Sequence, residues 1–384
     1  MSVSIRKLKK YSQDDFSKIR FIENSIRSAR IKYYGQKELR YSLKRESCHD
    51  DAEFMVSEDI APDNVKFCPE CGRKYPGFEN VCFDCLVHLK KFDENISIKD
   101  IKSHFRFEID GENDFKSYDE MLNLENLKKI KDFRFTLKDY RSIIRSIKSQ
   151  AFHNFDNLIK SNSINFDDLN ITDKVLLIVK SFVDVEYKSS GLELGYFESN
   201  RIFLDDRQTR SLQITTLIHE LTHFLVQEIL THILCFLLDA KRTETVDSVT
   251  QFMLSHSAFI QLIDEYAAHN VEGRFTLFGY QDYSSFRNIE SSLKGEMSCE
   301  EIEITKSIGN TFANTVKGII ESLIDDELRE DIKDQFMKDV MDEPNYGELK
   351  MENCQVLNDE GYLKAILLIL TEGFEMASLN ISKT

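Results

Sequence analysis

Proline and glycine are scarce in this 384-residue chain, at 4 and 14 residues. That shortage excludes collagen-like, proline-rich and glycine/serine-linker architectures. Long apolar runs are also missing. No segment reaches the ~18 uninterrupted apolar residues of a membrane span; the most apolar stretch, 217–238, is interrupted by His219, Glu220, His223, Gln227, Glu228 and His232. The start, MSVSIRKLKKYSQDDF, is basic but lacks the apolar centre of a secretory signal. Positive charge is in deficit, with 50 Lys and Arg against 66 Asp and Glu and a net charge of −16. That balance argues against a protein that coats nucleic acid. Apolar residues make up 41%, so a sizeable core is available, and the length allows two or three domains at roughly 100–200 residues each.

The charge is unevenly spread. Residues 1–47 carry 13 Lys/Arg and 5 Asp/Glu, leaving the acidic excess to the rest of the chain. Within 16–32, Phe16, Ile19, Ile22, Ile26 and Ala29 fall on one helical face. The expectation is a basic helical arm that docks on the acidic body of its own chain. The competing expectation is contact with nucleic acid or an acidic protein partner. Residues 48–90 hold three of the four prolines and five of the eight cysteines, four of them in two closely spaced pairs. Residues 91–170 read as a helical connector, with helices over 117–130 and 136–148. Residues 171–384 are the most strongly patterned and form the expected main domain, ending in acidic helices over 300–322, 325–341 and 361–377. No internal repeat of 20–50 residues is visible.

The segment FCPECGRKYPGFENVCFDC sets Cys68, Cys71, Cys82 and Cys85 in the pattern C-x2-C-x10-C-x2-C. Two residues between cysteines let a tight turn aim two thiolates at one ion, and two such turns complete a tetrahedral S4 site suited to Zn²⁺. Gly72 and Pro69 supply the freedom and the stiffness of the first turn. So small a unit buries too little apolar surface to fold alone, and the metal contributes much of its folding energy. Without an export signal, the pattern points to thiolates in a reducing compartment rather than to disulfides, hence a cytoplasmic location. The segment resembles the short zinc-ribbon family, whose usual pattern is CPxCG followed by a second CxxC. It departs from it at Leu86, where a glycine usually stands. Four cysteine ligands leave no open position for catalysis, so the resemblance implies a docking module.

A second constellation lies in IHELTHF, residues 218–224. On a helix, His219 and His223 project from one face one turn apart, and two nitrogens can meet one Zn²⁺. Glu220 points about 100° away, toward a metal-bound water rather than the metal. The surrounding residues are apolar nearly all round, so the helix is buried. Burying three ionisable groups costs several kcal/mol unless something compensates; a zinc ion is the compensation that fits. Ahead of this helix, β-rich runs at 183–188, 192–197 and 201–204 are separated by Ser189-Ser190-Gly191 and Glu198-Ser199-Asn200.

Helix, three strands, then an H-E-x-x-H helix is the order of the zinc metallopeptidases, and the chain resembles the zincins over roughly residues 171–280. An edge strand beside the metal pairs there with an extended peptide. Val226 and Ile229 break the longer H-E-x-x-H-x-x-G-x-x-H pattern and disfavour the metzincin branch. A third protein ligand is needed, and Glu244, Asp247, Asp264 and Glu265 are the candidates. Glu265 is preferred: Ala267 and Ala268 let its helix approach closely, and Glu265–Ala268 as E-x-x-A resembles the third-ligand helix of the gluzincins. Glu244, in a polar run, is second, at a gap from His223 close to that of thermolysin-like enzymes. His269, Tyr266, Tyr280 and Tyr283 are readable as neighbours of the metal or oxyanion donors, and more simply as structural residues. His232 falls near the opposite side of its helix, and Cys235 reads as a small buried hydrophobe.

The expected fold is therefore α+β, mostly α: a zincin-like helical domain with a small three-stranded sheet, preceded by a zinc ribbon. The expected cofactors are one catalytic and one structural Zn²⁺. The expected function is a zinc-dependent metallopeptidase acting on a peptide or protein, with Glu220 as general base and no membrane partner. The alternative is a non-catalytic zinc-binding adaptor that contacts protein or nucleic acid.

Overall fold

A computed structural model of the chain describes residues 65–67, 74–76, 90–91, 97–103, 105–188, 194–198, 200–205, 207–276, 278–280, 284–293, 297–340, 346–348 and 356–381. Three short strands come first: β1 (Val65–Phe67), β2 (Lys74–Pro76) and β3 (Lys90–Lys91). They form an antiparallel sheet in the order β2-β1-β3. The four ribbon cysteines fall in the intervals between these strands and lie outside the described residues.

Four helices follow: α1 (Tyr118–Met121), α2 (Leu124–Asp132), α3 (Leu137–Asn162) and α4 (Ile171–Lys180). The single helix expected over 117–130 is two, because the Asn123 side chain accepts from the Asn126 backbone N–H and starts a new helix there. The helix expected to stop at 148 continues to Asn162, since Ile147, Ala151, Asn154 and Leu158 prolong its buried stripe. Thr136 and Asp139 close its start with a reciprocal capping box.

The sheet of the main body comprises β4 (Asp184–Tyr187), β5 (Gly195–Glu198) and β6 (Arg201–Leu204) in the order β4-β6-β5. β4 runs parallel to β6, and β5 antiparallel. The molecule is thus mostly helical with a small mixed sheet, an α+β arrangement. Then come α5 (Arg210–Leu238), α6 (Glu244–Ser255) and α7 (Ala258–Phe275). β7 (Phe278–Tyr280), α8 (Ser284–Leu293), α9 (Cys299–Ile320), α10 (Asp326–Val340), β8 (Tyr346–Glu348) and α11 (Asp359–Ile381) complete the chain, with β7 and β8 paired antiparallel.

By length and composition α5 could cross a membrane, but nearly all of its most apolar stretch is buried inside the molecule. Its neighbours explain this: β5, β6, α4, α6, α7 and α9 all pack on it. Thr209 caps its start by accepting from the Leu212 N–H, and Asp239, in the left-handed region at φ 48°, ends it. α7 crosses α5 with Ile263, Tyr266, Ala267 and Ala268 buried. α9 presses on α7 at Gly309, where a Cβ would come within 2.8 Å of the Ile263 carbonyl oxygen. One apolar cluster runs from Ile98 to Ala377, so the helices of 97–162 share the core of the main domain. Ala365, Ile366, Ile369 and Leu370 of α11 are buried in it, as their apolar run suggests.

Candidate metal centre

The site forms where α7 crosses α5. His219 and His223 sit one turn apart on α5, and their Nε2 atoms face each other at 3.2 Å. From α7, Glu265 brings Oε2 to 3.9 Å from His219 Nε2. Donor atoms of His219, His223 and Glu265 all lie within 4.8 Å of one another. The three side chains are 15%, 14% and 20% exposed, a pocket closed to bulk water but not sealed.

The outer nitrogens settle which faces of the rings are free. Nδ1–H of His223 donates to Asp264 Oδ2 at 2.9 Å, and Nδ1–H of His219 donates to Glu272 Oε2 at 3.1 Å. A carboxylate accepts and cannot donate, so each Nδ1 carries a proton, and it is the Nε2 atoms that face inward, where a bound cation would take the place of a proton. Four-coordinate zinc, with bonds of about 2.0–2.2 Å, separates its donor atoms by roughly 3.3–3.6 Å. Two inward imidazole nitrogens and one carboxylate oxygen, all within 4.8 Å of one another, suit a divalent ion once it displaces the proton held there, and carboxylates on the outer nitrogens are the usual supports of such ligands.

His269, one turn beyond Glu265, also donates from Nδ1 to Glu272 Oε2 at 3.3 Å and packs its ring 4.6 Å from that of His219. One buried carboxylate oxygen therefore serves two imidazoles. Burial alone would raise the Glu272 carboxyl, but its bonds to His219 and His269 hold it below the usual carboxylate range. Burial would lower His223; the Asp264 charge and hydrogen bond, joined by Glu265 and Glu220, outweigh that and carry the imidazole to about 10. His219 is raised too: its bond to Glu272 opposes the effect of burial, with the charges of Glu220 and Glu272 adding. Such rings keep protons unless a cation replaces them.

Glu220 is buried on α5 beneath β5: its Cγ lies 3.6 Å from where a Cβ on Gly195 would stand. Its charge acts on both imidazoles.

The structure brings His219, Glu220, His223 and Glu265 together and leaves the other ligand candidates elsewhere. Glu244 is exposed at the start of α6. Asp247 accepts from Arg242 Nε at 2.8 Å and pairs with Arg106. Asp264 supports His223 instead of joining the donor group. His232 lies against Phe107 and 3.6 Å from Glu228. Tyr266 is buried, and burial pushes the Cys235 thiol up to about 12, as expected of an inert core cysteine. The side chains of Tyr280 and Tyr283 lie outside the described residues, as do Cys68, Cys71, Cys82 and Cys85. Glu272 was not foreseen. Its one signal in the sequence is spacing: seven residues past Glu265 and three past His269, it lies on the helical face that carries them.

No protein-family model, curated protein or solved structure matches the chain.

Proposed function

We propose that the protein is a zinc-dependent metallopeptidase of zincin-like architecture, with a cysteine-ligated ribbon at Cys68, Cys71, Cys82 and Cys85 as its docking module. One observation carries the reading. Two inward Nε2 atoms and a carboxylate from a second helix converge, while every outer imidazole nitrogen is held by another carboxylate. Three protein donors leave one corner of a tetrahedron for water, the arrangement of catalytic rather than structural zinc.

A divalent ion held by His219, His223 and Glu265 supplies Lewis acidity and an acidified water when bound. The residues do the rest. Asp264 and Glu272 fix the tautomers that keep Nε2 free. Glu220 follows His219 directly and is buried beneath β5; in this reading it accepts a proton and returns it to a leaving amine. β5 lies at the outside of its sheet and packs on α5; its outer edge pairs with no strand among the described residues, and an extended peptide can lie along it.

The test combines metal analysis with turnover. Wild-type protein should bind two zinc ions and His223→Ala one. Glu220→Gln should keep both ions and the fold but lose peptide hydrolysis. Equal zinc in wild type and His223→Ala would remove the second site. Undiminished cleavage by Glu220→Gln would remove the role of that carboxylate.

A further inference from the structure

β5 is not merely near the catalytic helix; it rests on it at one residue. A Cβ built on Gly195 would meet Thr216 Cγ2 at 2.5 Å and the Phe203 carbonyl oxygen at 2.9 Å, with Glu220 Cγ at 3.6 Å. The first contact is about 1 Å short of ordinary carbon–carbon distance, so a side chain at 195 forces a shift where β5 is seated on α5 and beside the Phe203 backbone. Contacts on both sides keep the strand down. On one, the Gln208 side-chain amide donates from Nε2 to the Leu194 carbonyl, and its oxygen accepts from Thr216 Oγ1 at 3.2 Å. On the other, Phe197 packs its ring 5.9 Å from Phe224.

The hydrogen-bond pattern shows which backbone groups this contact places. Asp205 N–H donates to Leu194 O at 3.1 Å, so those two form a hydrogen-bonded pair across β5 and β6. Such pairs alternate with non-bonded ones along an antiparallel ladder. Gly195 opposite Leu204 and Phe197 opposite Ile202 are then the non-bonded pairs. Their N–H and C=O groups turn away from β6, toward the open edge.

We propose that Gly195 is a positioning residue: lacking a side chain, it sets how close the open edge of β5 lies to Glu220, and so where an extended substrate is held. This rests on the peptidase reading above. The residue acts through the height of the strand and touches no reacting atom itself.

Steady-state kinetics on the full-length zinc-loaded protein test it, with an octapeptide that can pair along β5 and a blocked dipeptide too short to do so. Gly195→Ala should retain zinc and lose kcat/KM on the octapeptide by on the order of a hundredfold, the cost of about 1 Å of misplacement. The dipeptide should be nearly unaffected. Adding Thr216→Ser, which removes Cγ2 and keeps the hydroxyl, should restore part of the octapeptide activity, the contact with the Phe203 carbonyl oxygen remaining. Equal losses on both substrates, no loss, or no recovery in the double variant would overturn the proposal.

A second measurement needs no variant. Single N-methylations along the octapeptide should impair cleavage by wild type at alternate positions, because only alternate amides face a paired strand. A flat profile would overturn the proposal even if Gly195→Ala fails to fold. Wild type that cleaves neither peptide would instead refute the peptidase reading itself.

Discussion

Glu272 Oε2 accepts from His219 Nδ1 at 3.1 Å across 53 residues of sequence, and the same oxygen accepts from His269. α7 therefore carries a ligand candidate, Glu265, and, two turns on, the group that orients a ligand on the helix it crosses. Any rotation of α7 about its axis moves both together.

Replacing Glu272 with Ala should cost about 10–100-fold in zinc affinity, the usual penalty for losing such a support. Competition with a chromophoric chelator would measure it. Glu272→Gln should be the milder variant, because its amide oxygen can still accept from Nδ1. An unchanged affinity in both variants would show that His219 needs no help.

The proton content of the site should make metal uptake pH-dependent. His223 titrates near 10 in the folded protein, against 6.5 for a free imidazole. A raised folded-state value stabilises the metal-free protein fully below about pH 6.5, and the contribution is lost as pH rises through about 10. A metal must displace that proton, so its apparent affinity rises across the same window. The gain in Tm on adding zinc should therefore widen from pH 6.5 to 9. The check is differential scanning fluorimetry with and without zinc across that range; a gap that narrows would contradict the charge arrangement described.

Beyond the site, Arg242 holds Glu228 with both terminal nitrogens and Asp247 with Nε, all nearly solvent-free. Burial would raise the Glu228 carboxyl, but the Arg242 charge, joined by the hydrogen bond and charge of His232, holds it below the usual carboxylate range. Removing one member strands a buried charge. Arg242→Met should destabilise the fold by about 3–5 kcal/mol, and pairing it with Glu228→Gln should recover part of that. Urea unfolding would show this; additive losses in the double variant would mean the two groups are not coupled.

The helix bearing His219 and His223 was legible because an apolar pattern on every side leaves ionisable residues conspicuous, and the small mixed sheet was legible from its turn residues. Glu265 was reachable through Ala267 and Ala268, whose size signals close approach. Glu272 was not, because its role depends on the angle at which α7 crosses α5, a property of side chains scattered over α5, α7 and α9. By spacing Asp264 is as good a ligand candidate as Glu265; spacing alone cannot say whether a carboxylate meets an ion or, as Asp264 does, the far nitrogen of an imidazole. The extension of α3 from 148 to Asn162 is not legible in the sequence because a polar outer face masks the four core positions that sustain it.

α5 has almost no free face, and this orders events in time. In the unfolded chain the two imidazoles are merely neighbours on a floppy segment, with Glu265 and Glu272 dozens of residues away. Only when the interior has closed around that helix do the carboxylates arrive. The junction of imidazoles and carboxylates is therefore completed late, as a seal on a finished interior rather than at any point along the emerging chain.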